Sequence, residues 1–296
     1  MTNTTAPPAG APRTGLSNLT QRVLTALVVA PAVIGLLWLG DWWFAGFVLL
    51  ASGLAAHEWL GMCLSPGSEG QGPIGLHPVP RAVATLLAVG LCFAATQPWF
   101  GAHAFLLLTG GALLVWVSHL LFPGPIPGSF GRASLALAGV LYAGLLPACL
   151  LLLRALPQGF ELVLLCMLLA FLSDTFAYFA GRFLGRRKLY PAVSPGKTWA
   201  GAAGGLLGAM ATCLVASLTF LPGLPWPHAL LMAVPAGVLA QVGDLTESLL
   251  KRSVGVKDSG RLFPGHGGML DRIDALLFAA PAMLAYLTLV LGWGAR

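Results

Sequence analysis

The stretch FELVLLCMLLAFLSDTFAYFAGRF, residues 160–183, decides the fold. As a helix rising about 1.5 Å per residue it is long enough to cross a hydrocarbon core of roughly 30 Å. Asp174 is its only charge away from the ends. The rest of the chain repeats the pattern: of 296 residues, 57% are hydrophobic and 9% charged, far from the composition of a soluble globular domain. Working outward, the apolar runs predict nine spans at 23–39, 43–63, 82–98, 102–121, 132–153, 160–183, 200–221, 229–250 and 270–293. The expected fold class is an all-α, polytopic integral membrane protein.

Orientation follows from the sixteen Lys and Arg. With nine spans and the N-terminus inside, fourteen of them fall on the cytosolic side, and only Arg154 and Arg296 are left for the other face. The arrangement is therefore N-in and C-out. Residues 1–21 are rich in Thr, Pro, Ala and Gly, cannot bury a core, and read as a disordered cytosolic tail. A cleavable signal peptide is the competing reading, but no convincing cleavage site follows the first apolar run. Residues 22–158 form an N-terminal group of five helices, and residues 159–296 a catalytic group of four with cytosolic loops at 184–199 and 251–270. The five cysteines lie in apolar spans with no C-x-x-C pair, and so read as core residues.

Carboxylates are the scarce resource. Besides Glu161 at the far end of the sixth span, six of the ten, Asp174, Asp244, Glu247, Asp258, Asp271 and Asp274, lie in or beside the last four helices. One at a bilayer centre costs at least roughly 2.5 to 3.5 kcal/mol on insertion scales, so each needs a partner or a function. In the eighth span Gln241, Asp244, Ser248 and Lys251 share one face, with Glu247 beside them, which predicts a polar stripe looking into a wet cavity. The plainer reading is helix-to-helix pairing of Asp244 and Glu247 with Lys251 or Arg252. Asp271 and Asp274 sit in the first turn of the ninth span, where they either cap the helix or bind a cation. Asp244 and Asp271 on neighbouring helices would suit magnesium.

Basic residues gather at the same end. Ser194, Lys197 and Thr198 at the opening of the seventh span read as an anion site. Arg182, Arg186, Arg187 and Lys188 read mostly as topology markers facing anionic lipid, and Tyr178 as an ordinary packing aromatic. The loop KDSGRLFPGHGGMLDRID, residues 257–274, adds a run from Gly265 to Gly268 whose backbone N–H groups could approach an anion closely. Carboxylates for a metal, cations for phosphates and a glycine loop are the equipment of phosphoryl or nucleotidyl transfer. No Walker or dinucleotide-binding motif is present.

SLLKRSVGVKDSGRLFPGHGGMLDRID, residues 248–274, resembles the signature of the CDP-diacylglycerol synthase (phosphatidate cytidylyltransferase) family: S, a hydrophobic pair, K-R, four residues, K-D, a turn, H-G-G and D-R-x-D. SDTFAYFAGRFLGRRKL and SPGKTWAG, upstream, are similar to the family's second block, so the likeness is sharp over residues 173–274. Ala200 departs from it, where members commonly carry Glu or Gln, and no function is ascribed to that position. The resemblance implies transfer of CMP from CTP to phosphatidic acid with release of pyrophosphate, magnesium as cofactor, and a potassium ion beside it in some members. It implies that Asp244, Asp271 and Asp274 are metal ligands, and that these three, with Lys257 and Arg272, are the catalytic set. Asp174, Ser194, Lys197, Thr198 and Ser248 are implied substrate-binding residues. So are Lys251, Arg252, Arg261, His266, Gly267 and Gly268. The partners implied are CTP, phosphatidic acid and membrane lipids, with a homodimer among the assemblies allowed and no nucleic acid. The setting implied is a bacterial inner membrane with the site facing the cytoplasm.

Two other classes compete. An ion-coupled transporter also keeps carboxylates inside helices, but it would show repeated halves. Here the first five spans carry almost no intramembrane charge apart from Glu58. A CTP-dependent polyprenol kinase of related architecture would move the γ-phosphoryl group instead, and the full K-D, H-G-G, D-R-x-D run argues against it.

Overall fold

The computed structural model describes residues 18–63, 77–260, 262 and 267–294, with side chains described from residue 27 onward except at Asp41. Among these, the helices are α1 (Asn18–Leu39), α2 (Asp41–Cys63), α3 (Pro78–Ala94), α4 (Phe100–Leu121), α5 (Ser129–Ala155), α6 (Gly159–Leu184), α7 (Trp199–Leu218), α8 (Trp226–Ser253) and α9 (Leu270–Leu289). Each lies over one of the expected apolar runs. Seven of them, α2 and α4 to α9, are long and apolar enough to cross a membrane, while the apolar lengths Leu27–Leu39 and Pro78–Ala94 are shorter. The chain is a mostly helical, polytopic membrane protein.

Two expectations need correction. The all-helical reading missed β1 (Lys188–Tyr190) and β2 (Ser194–Thr198), an antiparallel ribbon between α6 and α7. Its strands are short and its turn holds Pro191, so neither hydropathy nor alternation marks it. The expected tail also runs too far, because α1 begins at Asn18. Residues 1–17 lie outside the described residues.

Backbone satisfaction, which lipid cannot supply, shapes the interior. Inside α5, Pro147 has no N–H to give the carbonyl four residues earlier. That carbonyl, Ala143 O, instead accepts from Ser52 Oγ of α2 at 2.6 Å. The same region, Leu141–Leu145, widens into a π-helical turn that buries Tyr142. Arg132, one of the fourteen basic residues counted to the cytosolic side, is buried at the base of α5 and donates to Pro123 O (2.6 Å), Pro127 O (3.3 Å) and Pro125 O. It closes a proline-rich turn. The five thiols are unbridged and four are buried.

Two apolar clusters form the core. One, around Leu162, Leu165, Leu169, Met232 and Met283, ties α6 to α8 and α9. The other, around Trp59, Leu60, Ala88, Val140 and Leu277, ties α2, α3 and α5 to the start of α9. Small residues bring α6 and α7 together most closely. A Cβ at Gly208 would meet Phe176 at 2.7 Å and one at Gly201 would meet Ala177 O at 2.9 Å, while Ser173 Oγ donates to Gly205 O at 3.0 Å. With no hydrophobic drive between helices in lipid, such backbone approach supplies the packing. Gly208→Val should therefore destabilise the protein by about 1 to 3 kcal/mol. Gly110→Val, where the space is open, should be neutral. Thermal melting in detergent, followed by size exclusion, compares the two.

Candidate active site

At one end of the helices the ribbon folds over α8. It can leave α6 tightly because Gly185 lies against Gly181 O and the Thr198 side chain, where a Cβ has no room. Thr198 then caps α7, its Oγ1 accepting from Gly201 N at 3.0 Å. Lys197 thus lies in a strand, and Thr198 both closes that strand and opens the helix. Placed this way, Lys197 Nζ reaches Asp244 Oδ2 at 2.6 Å, and Ser248 Oγ donates to Asp244 Oδ1 at 3.3 Å. Gln241 Nε2 donates to Ala202 O at 3.1 Å and holds α8 to α7.

Beside this pair lies a cavity of about 490 Å3, lined by Asp174, Arg182, Lys188, Lys197, Thr198 and Gln241 among others. Cations from α6 and the ribbon meet there with an acid from mid-α6. Arg182 and Lys188 thus do more than mark topology, whereas Arg186 and Arg187 are exposed and do not line the cavity. Tyr178 is exposed on the cavity wall and its hydroxyl accepts from Arg182 at 3.4 Å, so it is no packing aromatic.

The polar stripe of α8 divides in two. Gln241 and Asp244 face α7 and the ribbon, but Glu247 and Lys251 turn into the core against α9. Lys251 Nζ donates to Glu247 Oε2 (2.7 Å) and Asp271 Oδ1 (2.6 Å), with all three side chains largely buried. The plainer pairing reading is right for Glu247 and Lys251. Lys251 therefore neutralises two carboxylates.

Asp271 is held from both sides. Its Oδ2 accepts from Gly268 N (2.8 Å) and Ser259 N (2.9 Å) and lies 2.9 Å from Ser259 Oγ. Oδ1 is left facing the Lys251 cation. Gly267 adopts φ +81°, with its missing Cβ against Asp271 Oδ2, so both backbone and space require glycine there. Of the glycine run expected to approach an anion, Gly268 gives its N–H to Asp271. Gly265, His266 and Arg261 lie outside the described residues.

The other candidates divide similarly. Asp274 accepts from Ala275 N at 2.7 Å and lies within electrostatic range of Asp244 and Asp174. Arg272 is exposed and close enough to act on Asp174. Lys257 and Asp258 are exposed on the loop. Arg252 donates to Val193 O and Val256 O, both at 3.3 Å, which ties the ribbon turn to the loop. Ser194 serves in β2 opposite Tyr190. Three groups escaped the sequence reading. Tyr142 lies within electrostatic range of the acids, and among the described residues its buried hydroxyl has no partner, nor has Glu247 Oε1. Ser259 and Glu58 brace the loop, and the one available signal was Glu58's isolation as a charge in the first five spans.

Among the described residues no three His, Cys, Asp or Glu side chains form a ready metal centre. Asp244 and Asp271 each grip a lysine ammonium as a stand-in cation. That donor set fits magnesium, which takes one or two carboxylates together with phosphate oxygens and water.

A family model described as "Cytidylyltransferase family" matches residues 20–290. The phosphatidate cytidylyltransferase of Brucella abortus biovar 1 (strain 9-941) is 38% identical over 278 residues, covering 92% of this chain and 94% of that protein. That of Pseudomonas aeruginosa is 38% identical over 285 residues, covering 94% and 99%. That of Synechocystis sp. is 33% identical over 304 residues, covering 92% and 97%.

Removing Lys251 isolates its share of the stability. Lys251→Met strands two buried carboxylates and should cost about 3 to 5 kcal/mol. Adding Glu247→Gln should recover part of the loss. Melting of the single and double variants in detergent measures both steps.

Proposed function

The chain belongs to the cytidylyltransferase family, and on that premise we propose that it is a phosphatidate cytidylyltransferase, converting CTP and phosphatidic acid into CDP-diacylglycerol and pyrophosphate in the membrane. The observation that carries the reading is the convergence of Lys197, Asp244, Asp174 and the cationic cavity at the ends of α6, α7 and α8. It is a place where phosphates meet both cations and acids.

The phosphate of phosphatidate attacks the α-phosphorus of CTP, and pyrophosphate leaves in line. A phosphate monoester is already substantially ionised at neutral pH, so no strong base is required. Catalysis then rests on positioning and charge neutralisation. Lys197 is poised to shift from Asp244 to an incoming phosphate, with Arg182 and Lys188 on the cavity wall and Arg272 within electrostatic range of Asp174. Lys257 extends the positive field from the loop. Asp244, Asp271 and Asp274 would hold magnesium, which when bound supplies further neutralisation of the phosphate charge. Ser259 and Gly268 hold Asp271 through Oδ2 while this happens. On α6, Phe176, Phe179 and Phe183 expose apolar faces near the cavity, which lets acyl chains stay in the bilayer during the reaction.

The same proposal has nine membrane crossings, N-in and C-out, with the site at the cytosolic face of an inner membrane. Two contacts support the alternation. Glu58 near the end of α2 meets the start of α9, while Arg154 at the end of α5 lies against Gly40, before α2. The first end carries most of the basic residues.

Purified protein given labelled CTP and phosphatidate should release pyrophosphate and form CDP-lipid only when magnesium is supplied. CDP with a phosphorylated lipid alcohol would mark the kinase instead. Asp244→Asn should lower kcat by about 10²-fold at near-normal yield. Wild-type turnover by that variant would remove Asp244 from the reaction centre.

A further inference from the structure

Glu58 lies on α2, among helices that contribute no group to the reaction described above, yet its carboxylate reaches the heart of the loop. Oε1 accepts from Met269 N at 2.8 Å, and Oε2 accepts from Leu270 N at 2.9 Å and lies 3.0 Å from Ser259 Oγ. The residue before α9, Met269, offers no side-chain cap of its own. Glu58 fills that gap across more than two hundred residues of sequence. A carboxylate there also complements the positive end of the helix.

A cap alone would need only the two backbone bonds. The third partner is what links Glu58 to chemistry. Ser259 Oγ has one proton and sits between two acceptors, Glu58 Oε2 at 3.0 Å and Asp271 Oδ2 at 2.9 Å. Ser259 N donates to the same Asp271 oxygen at 2.9 Å. The glycines fit this arrangement. A Cβ at Gly260 would meet Glu58 Oε1 at 2.7 Å, and one at Gly268 would strike Glu58 Oε2 and Ser259 Oγ. At Gly260 and Gly268 the backbone lies so close to Glu58 that a side chain has no room.

We propose that Glu58 is a positioning residue: by binding the start of α9 and Ser259 together, it fixes Asp271 so that Oδ2 is spent on the loop and Oδ1 points at the cation position. Neighbouring groups that orient a ligand oxygen in this way commonly decide how well it works. The first five helices thereby gain a defined share in the reaction. The inference rests on the transferase reading for its kinetic part and on geometry alone for its structural part.

Glu58→Gln keeps the shape but replaces one acceptor with a donor, so one backbone N–H loses its partner. Hydrogen exchange at the amides of residues 268–271 should rise about tenfold, with α4 unchanged. This readout needs no turnover, so failure of the transferase reading would leave it standing. In the lipid assay kcat should fall about 10²-fold while KM for CTP and for phosphatidate stays close to wild type. Ser259→Ala should act in the same direction, and the double variant should be no slower than the slower single one, because both sit on one bridge. Unchanged exchange at 268–271, unchanged kcat, or multiplicative losses in the double variant would overturn the proposal. Should Glu58→Gln give no folded protein, exchange in Ser259→Ala decides alone: a local rise supports the bridge and wild-type protection refutes it.

Discussion

A buried lysine between two acids governs this end of the molecule. Lys251 contacts Glu247 on its own helix and Asp271 on the next, with little water to share the charge. Losing the ammonium would leave two carboxylates in a low-dielectric core, a far larger penalty than any single packing contact. The start of α9 is consequently locked to the end of α8. Everything that the loop between them presents inherits that register.

Around this lock the helices divide the work. The close seam of α6 and α7 sets where Asp174 and the ribbon stand, and the ribbon carries Lys197 to Asp244. From the other side, α2 and α5 supply Glu58 and Tyr142. Ser52 repairs the hydrogen bond that Pro147 deletes from α5, which lets the widened turn carry Tyr142 inward. Reactive groups in a bilayer need such support because each unpaired polar atom there is costly. The fold answers by pairing Lys251 with Glu247 and Asp271, and Lys197 with Asp244.

The long helices among the described residues were legible because long apolar runs have few alternatives in lipid, and the acids stood out against so apolar a background. The pairing of Asp244 was harder to see. Its partner Lys197 lies on a ribbon of two short strands, and ribbons that short leave no periodic trace. Lys251 was placed on the Asp244 face by helical spacing, although the same helix turns it toward Glu247 and Asp271. Spacing alone cannot say which neighbour lies on which side. Glu58 was visible only as an odd charge, since its partners are at residues 259, 269 and 270 and only the folded chain brings them near.

Among the described residues, one cavity lies beside Lys197, and another of about 450 Å3 lies between α2, α3 and the loop, lined by His57, Glu58 and Arg81 among others. An experimental density map of the detergent-solubilised protein with CTP and magnesium distinguishes them directly. The triphosphate should lie beside Lys197 and Asp244, with the contacts of Asp271 to Ser259 and Gly268 intact. Nucleotide seated instead against His57 and Arg81, with the Lys197–Asp244 pair undisturbed, would contradict the assignment of the reaction centre.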